Sequence, residues 1–243
     1  MDTKALKDKI LQLAIQGKLV PQDENDEPVS VLLEKIKAEK ERLIKEKVIK
    51  KEKPLPEISE EEKLFELPKG WEWVRLGDIT KIYLGLTHRP EYVDKGIPFL
   101  SVKDISGGKI LFENCKYIEE NKFNSMPIGS KPIKGDVLFG RVGTLGKPSI
   151  VDIDFPFGIF VSLGFLRPFI IDMNKYLKIF MESQLFFDQI HKNVSGVAQV
   201  NLNTGWLNNF VIPLPPLEEQ KRIVAKVDTI MNYLDELEKQ INQ

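Results

Sequence analysis

Apolar residues recur every three to four positions at both ends of the chain and lose that period in between. Near the start, Leu6, Ile10, Leu13 and Ala14 share one face of a helix predicted over residues 3–17, with Gly17 as its C-cap. A second helix is predicted from about Val29 to Lys50, with Ser30 as N-cap and Leu32, Leu33, Ile36, Leu43 and Ile44 inward. Its other face is a Lys/Glu run whose charges nearly cancel, which marks a solvated surface rather than a nucleic-acid arm. At the far end Ile223, Val227, Ile230, Leu234, Leu237 and Ile241 follow at intervals of 4, 3, 4, 3 and 4 residues. That unbroken a/d seam predicts a helix that pairs with a partner helix, although a helix packed on its own domain would show it too. Ahead of the seam, Pro213, Pro215 and Pro216 fix φ and remove backbone donors, so this entry is predicted extended. Glu218 and Glu219 then stand where a helix N-terminus favours negative charge.

Between the helical ends the texture changes twice. Residues 51–70, KEKPLPEISEEEKLFELPKG, form a proline-punctuated charged connector, too polar to bury. Beyond Gly70 come short apolar segments broken by Gly and Pro, among them WEWVRLGDITKIYLG, GIPFLSV, KILFEN, GDVLFGRV, PSIVDI and FGIFVSLGFLRP. Each has the length and the β-branched or aromatic content of a strand. Helical patches follow at 174–192 and in NTGWLNNF. The fold class is α+β: a mixed α/β domain flanked by N-terminal helices and a long C-terminal, coiled-coil-like helix.

Composition narrows the setting. With 42% hydrophobic and 29% charged residues, the chain reads as soluble and globular, and its apolar runs are too short to span a membrane. The start, MDTKALKDKI, lacks a signal peptide's apolar stretch, and the lone Cys115 has no partner for a disulfide, so a cytoplasmic setting is expected. Two histidines far apart argue against a dedicated zinc site, and no metal is expected. A net charge of −1 does not announce a polyanion binder, but its distribution is uneven. Between Glu120 and Asp152 the one acid is Asp136, against Lys122, Lys131, Lys134, Arg141 and Lys147, a local excess that suggests phosphate contact.

No catalytic set emerges. GRVGTLGK (140–147) resembles a phosphate loop only superficially, since its glycines are wrongly spaced and Pro148 follows Lys147. It fits a strand leading into a tight turn that exposes Arg141, Thr144 and Lys147. No methyl-donor fingerprint, nuclease pattern or Ser/His/Asp set accompanies it, so no catalytic residue is assigned. Three polar clusters suit DNA instead: THRPEY (87–92), SVKDI (101–105) and SGVAQVNLNTG (195–205). Gln and Asn pair bidentately with adenine, and Arg or Lys with guanine. His88, Arg89, Lys103, Arg141, Gln199 and Asn201 are thus candidate base readers, and Lys122, Lys131, Lys134 and Lys147 candidate phosphate contacts. For each, a plain loop or turn role remains open, as at Asn203-Thr204-Gly205.

Three stretches together, ELPKGWEWVRLGDI (66–79), GDVLFGRVGTLGKPSIV (135–151) and PLPPLEEQKRIVAKVDTIMNYLDELEKQI (213–241), resemble the DNA-specificity subunit of Type I restriction–modification systems. Residues 6–36 resemble that family's helical region, so the likeness covers nearly the whole chain. It implies a helical region and linker over 1–66, a target recognition domain over 67–215 and a spacer or dimerisation helix over 216–243. It further implies a non-catalytic subunit that binds double-stranded DNA and recruits methyltransferase and restriction subunits. S-adenosylmethionine would sit in the methyltransferase, and this chain would bind no cofactor. With one recognition domain and one junction, the chain looks like half such a subunit, and a second copy or another half is the expected partner along Ile223–Ile241. At about 1.5 Å per residue, Leu217–Ile241 would span roughly 37 Å, close to one turn of B-DNA. A scaffold that binds a partner through its helices without reading bases is the alternative.

Overall fold

The computed structural model describes residues 2–141, 147–193 and 201–241. Helix α1 (Thr3–Ile15) is capped by the Asp2 carboxylate, which accepts from the Ala5 amide at 3.0 Å. It closes where the sequence suggests. Gly17 stands at φ +68°, and the amides of Gly17 and Lys18 reach back to the carbonyls of Ala14 and Leu13. No larger residue fits there, since a Cβ would come within 2.4 Å of the Pro68 ring.

The buried stripe of α1 differs from the expected one. Leu11, Ala14 and Ile15 are buried and Leu6 is exposed, because the row through Thr3, Lys7 and Leu11 turns toward the chain's last helix. Helix α2 (Val29–Lys45) starts behind Pro28 with no side-chain cap, so Ser30 is not its N-cap. It stops short of Lys50 because Lys47 turns left-handed at φ +60°, and the amides of Lys47 and Val48 close onto Ile44 and Leu43.

The connector is polar yet pinned. The buried Arg75 guanidinium donates to the carbonyls of Pro56, Glu57 and Asn209 and forms a two-pronged ion pair with Glu62. Phe65 packs on Trp73 nearby, with ring centroids 4.8 Å apart. A charged strap is held to the domain by one arginine that replaces its lost water contacts.

The middle of the chain opens with β1 (Glu72–Arg75), α3 (Leu76–Ile79), β2 (Thr80–Leu84) and β3 (Ile97–Leu100). There follow β4 (Ile105–Ser106), β5 (Lys109–Ile110), β6 (Lys116–Ile118), α4 (Glu120–Ser125), β7 (Val137–Gly140) and β8 (Ser149–Ile150). Next come β9 (Gly158–Ile159), β10 (Leu163–Pro168), α5 (Asn174–Glu182), α6 (Gln184–Asn193) and α7 (Thr204–Asn209). The domain ends with β11 (Val211–Leu214), which leads to α8 (Leu217–Ile241).

The principal sheet runs β2-β10-β7-β8, all antiparallel. A smaller sheet runs β6-β3-β9, with β3 and β9 parallel. The helical patch at 174–192 is broken at Ser183, whose hydroxyl donates to the Phe180 carbonyl at 2.6 Å. The extended proline entry doubles as strand β11, paired antiparallel with β1. One core joins α1 and α2 to β1, β2, α5, α6 and the first half of α8, and a second, around Leu100, Leu138, Phe157 and Phe165, lies between the sheets.

Candidate nucleic-acid interface

The polar loops named from sequence meet at one place, the turn from Phe160 to Leu163. The Leu86 amide donates to the Ile159 carbonyl and the Val161 amide donates to the Leu86 carbonyl, both at 2.9 Å. This anchors the segment that carries His88 and Arg89, both exposed. Gly85 makes the approach possible, since a Cβ there would lie 2.2 Å from the Phe160 carbonyl oxygen. The Val102 amide donates to Ser162 Oγ at 3.1 Å, which brings in exposed Lys103. The Arg141 amide donates to the Ser162 carbonyl at 2.9 Å, and the Leu202 amide donates to the Arg141 carbonyl at 3.0 Å, next to exposed Asn201. Thus His88, Arg89, Lys103, Arg141 and Asn201 gather at one end of the main sheet. Thr144 and Gln199 lie outside the described residues.

The lysines do not join them as one basic face. Lys134 stands before β7, at the opposite end from Arg141, and ion-pairs with Asp152 at 3.4 Å and Asp154 at 2.9 Å. Pairing of β7 with β8 brings those acids across, so the charge of Lys134 is matched in place. Those carboxylates also raise the Lys134 pKa. Lys131 donates to the Asn124 carbonyl at 2.9 Å and lies over the Phe123 ring. Lys122 is exposed on α4. Lys147 flanks the Gly107–Gly108 turn and faces a cleft of about 800 Å³ whose far wall includes Asp235 and Glu238.

The arginines separate more sharply. Of the six, Arg42, Arg75, Arg167 and Arg222 each hold a carboxylate: Glu39 and Glu46, Glu62, Asp136 and Asp26 respectively. Arg89 and Arg141 hold none among the described residues, and the stretches 142–146 and 194–200 contain no acid. Arg89 lies over the Tyr92 ring, 5.4 Å from its centroid. Tyr92 was not singled out from sequence; the Arg-x-x-Tyr spacing in THRPEY is the only signal for it. Half-buried Arg141 donates to the Leu202 and Val161 carbonyls, and burial with no nearby acid lowers its pKa. Both unneutralised guanidinium groups belong to segments bonded to the same turn.

The other end of the domain is closed by charge and hydrogen bonds. The buried Tyr176 hydroxyl donates to the Pro213 carbonyl at 2.7 Å, and Gln220 Nε2 donates to the Pro215 carbonyl at 2.9 Å. Glu219, 1% exposed, accepts from Trp71 Nε1 at 2.8 Å and from Gln22 Nε2 at 3.0 Å. Burial pushes its carboxyl pKa up, and those two donors oppose the rise. Arg222 grips Asp26 with two hydrogen bonds, of 3.0 and 2.6 Å.

The seam beyond is partly filled from within the chain. Ile223, Val227 and Leu234 are buried, Ile230 and Leu237 half-buried, and Ile241 is 61% exposed. Helix α1 runs antiparallel along α8, with Lys7 bridging Asp235 and Glu238 and Thr3 bonding Glu238. The chain alone therefore does not bury the seam along its full length: α1 and α5 pack on α8 as far as Leu234, and Ile241 at its end stays exposed.

The domain thus gathers polar loops around unneutralised guanidinium groups at one end and is locked to a long helix at the other. The chain belongs to the Type I restriction modification DNA specificity domain family, which matches residues 68–243. It is 38% identical to the EcoAI specificity subunit of Escherichia coli over 98% of this chain and 41% of that protein. The EcoEI specificity subunit, also of Escherichia coli, is 35% identical over 98% of this chain and 40% of its own length. The chain thus spans about two fifths of the length of these curated relatives. In fold it resembles the HsdS subunit from Thermoanaerobacter tengcongensis, with a TM-score of 0.54 at 23% identity over 98% of this chain and 51% of that one. The α+β class and the family resemblance read from sequence both hold, and the scaffold alternative is not favoured.

Proposed function

We propose that this chain reads one half of a bipartite double-stranded DNA target and directs methyltransferase and restriction subunits to it. The observation that carries this reading is the convergence of Arg89 and Arg141, without carboxylate partners, at the Phe160–Leu163 turn. An unneutralised guanidinium pair on anchored loops suits phosphates and base edges, whereas a structural arginine is neutralised in place. Residues 67–215 are the recognition domain, 1–66 its helical support and 216–243 the spacer. The chain is non-catalytic and binds no cofactor; S-adenosylmethionine belongs to the methyltransferase subunit. The setting is the cytoplasm, where the DNA lies.

The distal part of α8 supports a pairing role. Tyr233 and Ile241 are exposed beside half-buried Ile230 and Leu237, on a 25-residue helix of roughly 37 Å. A second copy, or another half, joined there would set the spacing of two half-sites at about one turn of duplex.

The test is selection from a random duplex library by the chain assembled with its methyltransferase subunits. A split consensus, with affinity falling as salt rises, is the expected outcome. Recovery of no consensus, or methyl transfer by the isolated chain, would overturn the reading. A solution mass of one chain at working concentration, in that assembly and alone, would sink the pairing.

A further inference from the structure

We infer that Arg141 and Arg89 divide the labour of recognition: Arg141 holds a backbone phosphate and Arg89 reads a guanine. The inference rests on the DNA-reading function proposed above and assigns roles within it.

Geometry distinguishes the two side chains. Arg141 is tied at both levels. Its backbone is hydrogen-bonded to Ser162 and Leu202, and its guanidinium donates to the carbonyls of Leu202 and Val161. A side chain so tied cannot extend to the floor of a groove. Carbonyls satisfy its donors without cancelling its charge, so it remains a partly desolvated cation with N–H groups to spare. Such a cation attracts an anion more strongly than a freely hydrated one. The anion that duplex DNA offers at the rim of a groove is phosphate, and a contact there fixes register without reading sequence.

Arg89 has the opposite arrangement. It is exposed, and no carboxylate or carbonyl holds its guanidinium among the described residues. Its contact is the face of Tyr92, which restrains the planar fork while leaving the N–H edge available. The backbone below it is anchored through Leu86 on both sides of the Phe160 turn, and Pro90 beside it is buried. A preorganised fork on an anchored stem matches the paired acceptors O6 and N7 of guanine in the major groove.

The experiment uses the full chain assembled with its methyltransferase subunits, on the consensus duplex and on point variants of it, over a salt series. For Arg141→Met, affinity should fall by a similar factor on every duplex. The slope of log affinity against log salt should shrink by about 1, and base preferences should stay as they were. Arg141→Gln keeps a donor for the Leu202 and Val161 carbonyls but drops the charge and should shrink the slope likewise, which preserves the test if Arg141→Met fails to fold. For Arg89→Ala, preference at one G·C position should drop by about tenfold to a hundredfold, with little change on unrelated duplex. An unchanged slope in folded Arg141→Met would reduce Arg141 to a structural tie and overturn its half of the inference. A uniform loss in Arg89→Ala would make Arg89 a phosphate contact and overturn the other half. If the wild-type assembly shows no sequence preference at all, the proposed function fails first and this division of roles with it.

Discussion

Arg222 and Arg141 are both half-buried guanidinium groups, yet only one is neutralised. At the junction Arg222 meets Asp26, Glu219 meets Trp71 and Gln22, and Pro213 and Pro215 give their carbonyls to Tyr176 and Gln220. At the proposed recognition edge, among the described residues, Arg141 meets carbonyls and Arg89 meets a ring. A polar group that serves the fold has its partner inside the fold, because an unpaired buried charge is costly. One that lacks a partner, on an anchored backbone, awaits one from outside. On the proposed function, the contrast separates what aims the domain from what touches the target.

The contrast can be broken at its rigid end first. Ile223→Ala removes a fully buried side chain where α8 enters the core and should cost about 2–5 kcal/mol of stability, while Ile241→Ala should stay within about 0.5 kcal/mol. Chemical denaturation of both variants measures the difference, and similar losses would mean the two halves of α8 are not distinct. Glu219→Ala should come next, at about 1–3 kcal/mol, because it strands the Trp71 and Gln22 donors. Glu219→Gln keeps an acceptor and drops a desolvated charge, so its melting temperature should lie near that of the wild type.

A smaller effect comes with acid. Arg75 holds the Glu62 carboxyl down to about 2, below its ordinary value near 4.5. A depressed carboxylate stabilises the fold above its unfolded pKa and loses that contribution as pH falls through its folded one. The strap's contribution should thus be intact above about pH 4.5 and fade toward about pH 2, tempered by the partial exposure of Glu62. Melting curves of wild type and Glu62→Gln should differ at neutral pH and converge in that window. The smallest change expected is Lys134→Ala. Its charge is already matched by Asp152 and Asp154, so the salt slope of DNA binding should not move. A slope reduced by about 1 would return Lys134 to the phosphate-contacting set.

Much of the frame is legible in the chain because its signals are local. The seam from Ile223 to Ile241 is periodic, and α8 occupies Leu217–Ile241 as expected. The three prolines make the entry extended, and Gly17 ends α1 through its own dihedral angle. What escapes depends on contacts far apart in sequence. That β11 pairs with β1 depends on residues about 140 positions apart, and a proline-rich segment is a poor advertisement for a strand. Lys134 looks unpaired until β7 meets β8. Arg141 looks like a free reader until Val161 and Leu202 arrive to hold it. The loops carrying candidate readers are recognisable from composition, but their meeting at the Phe160 turn belongs to tertiary structure.

The bond from Trp71 to Glu219 carries an optical consequence. Of the three tryptophans, Trp71 is buried against a carboxylate at the junction, Trp73 leans on Phe65 of the strap, and Trp206 is half exposed on α7. An indole emits according to the polarity around it, so these three sites amount to a set of intrinsic fluorescent probes. Replacing Trp73 and Trp206 with phenylalanine would leave Trp71 as sole reporter of whether the long helix stays seated while the far edge engages its target. The molecule thus carries its own gauge of junction rigidity, with no label attached.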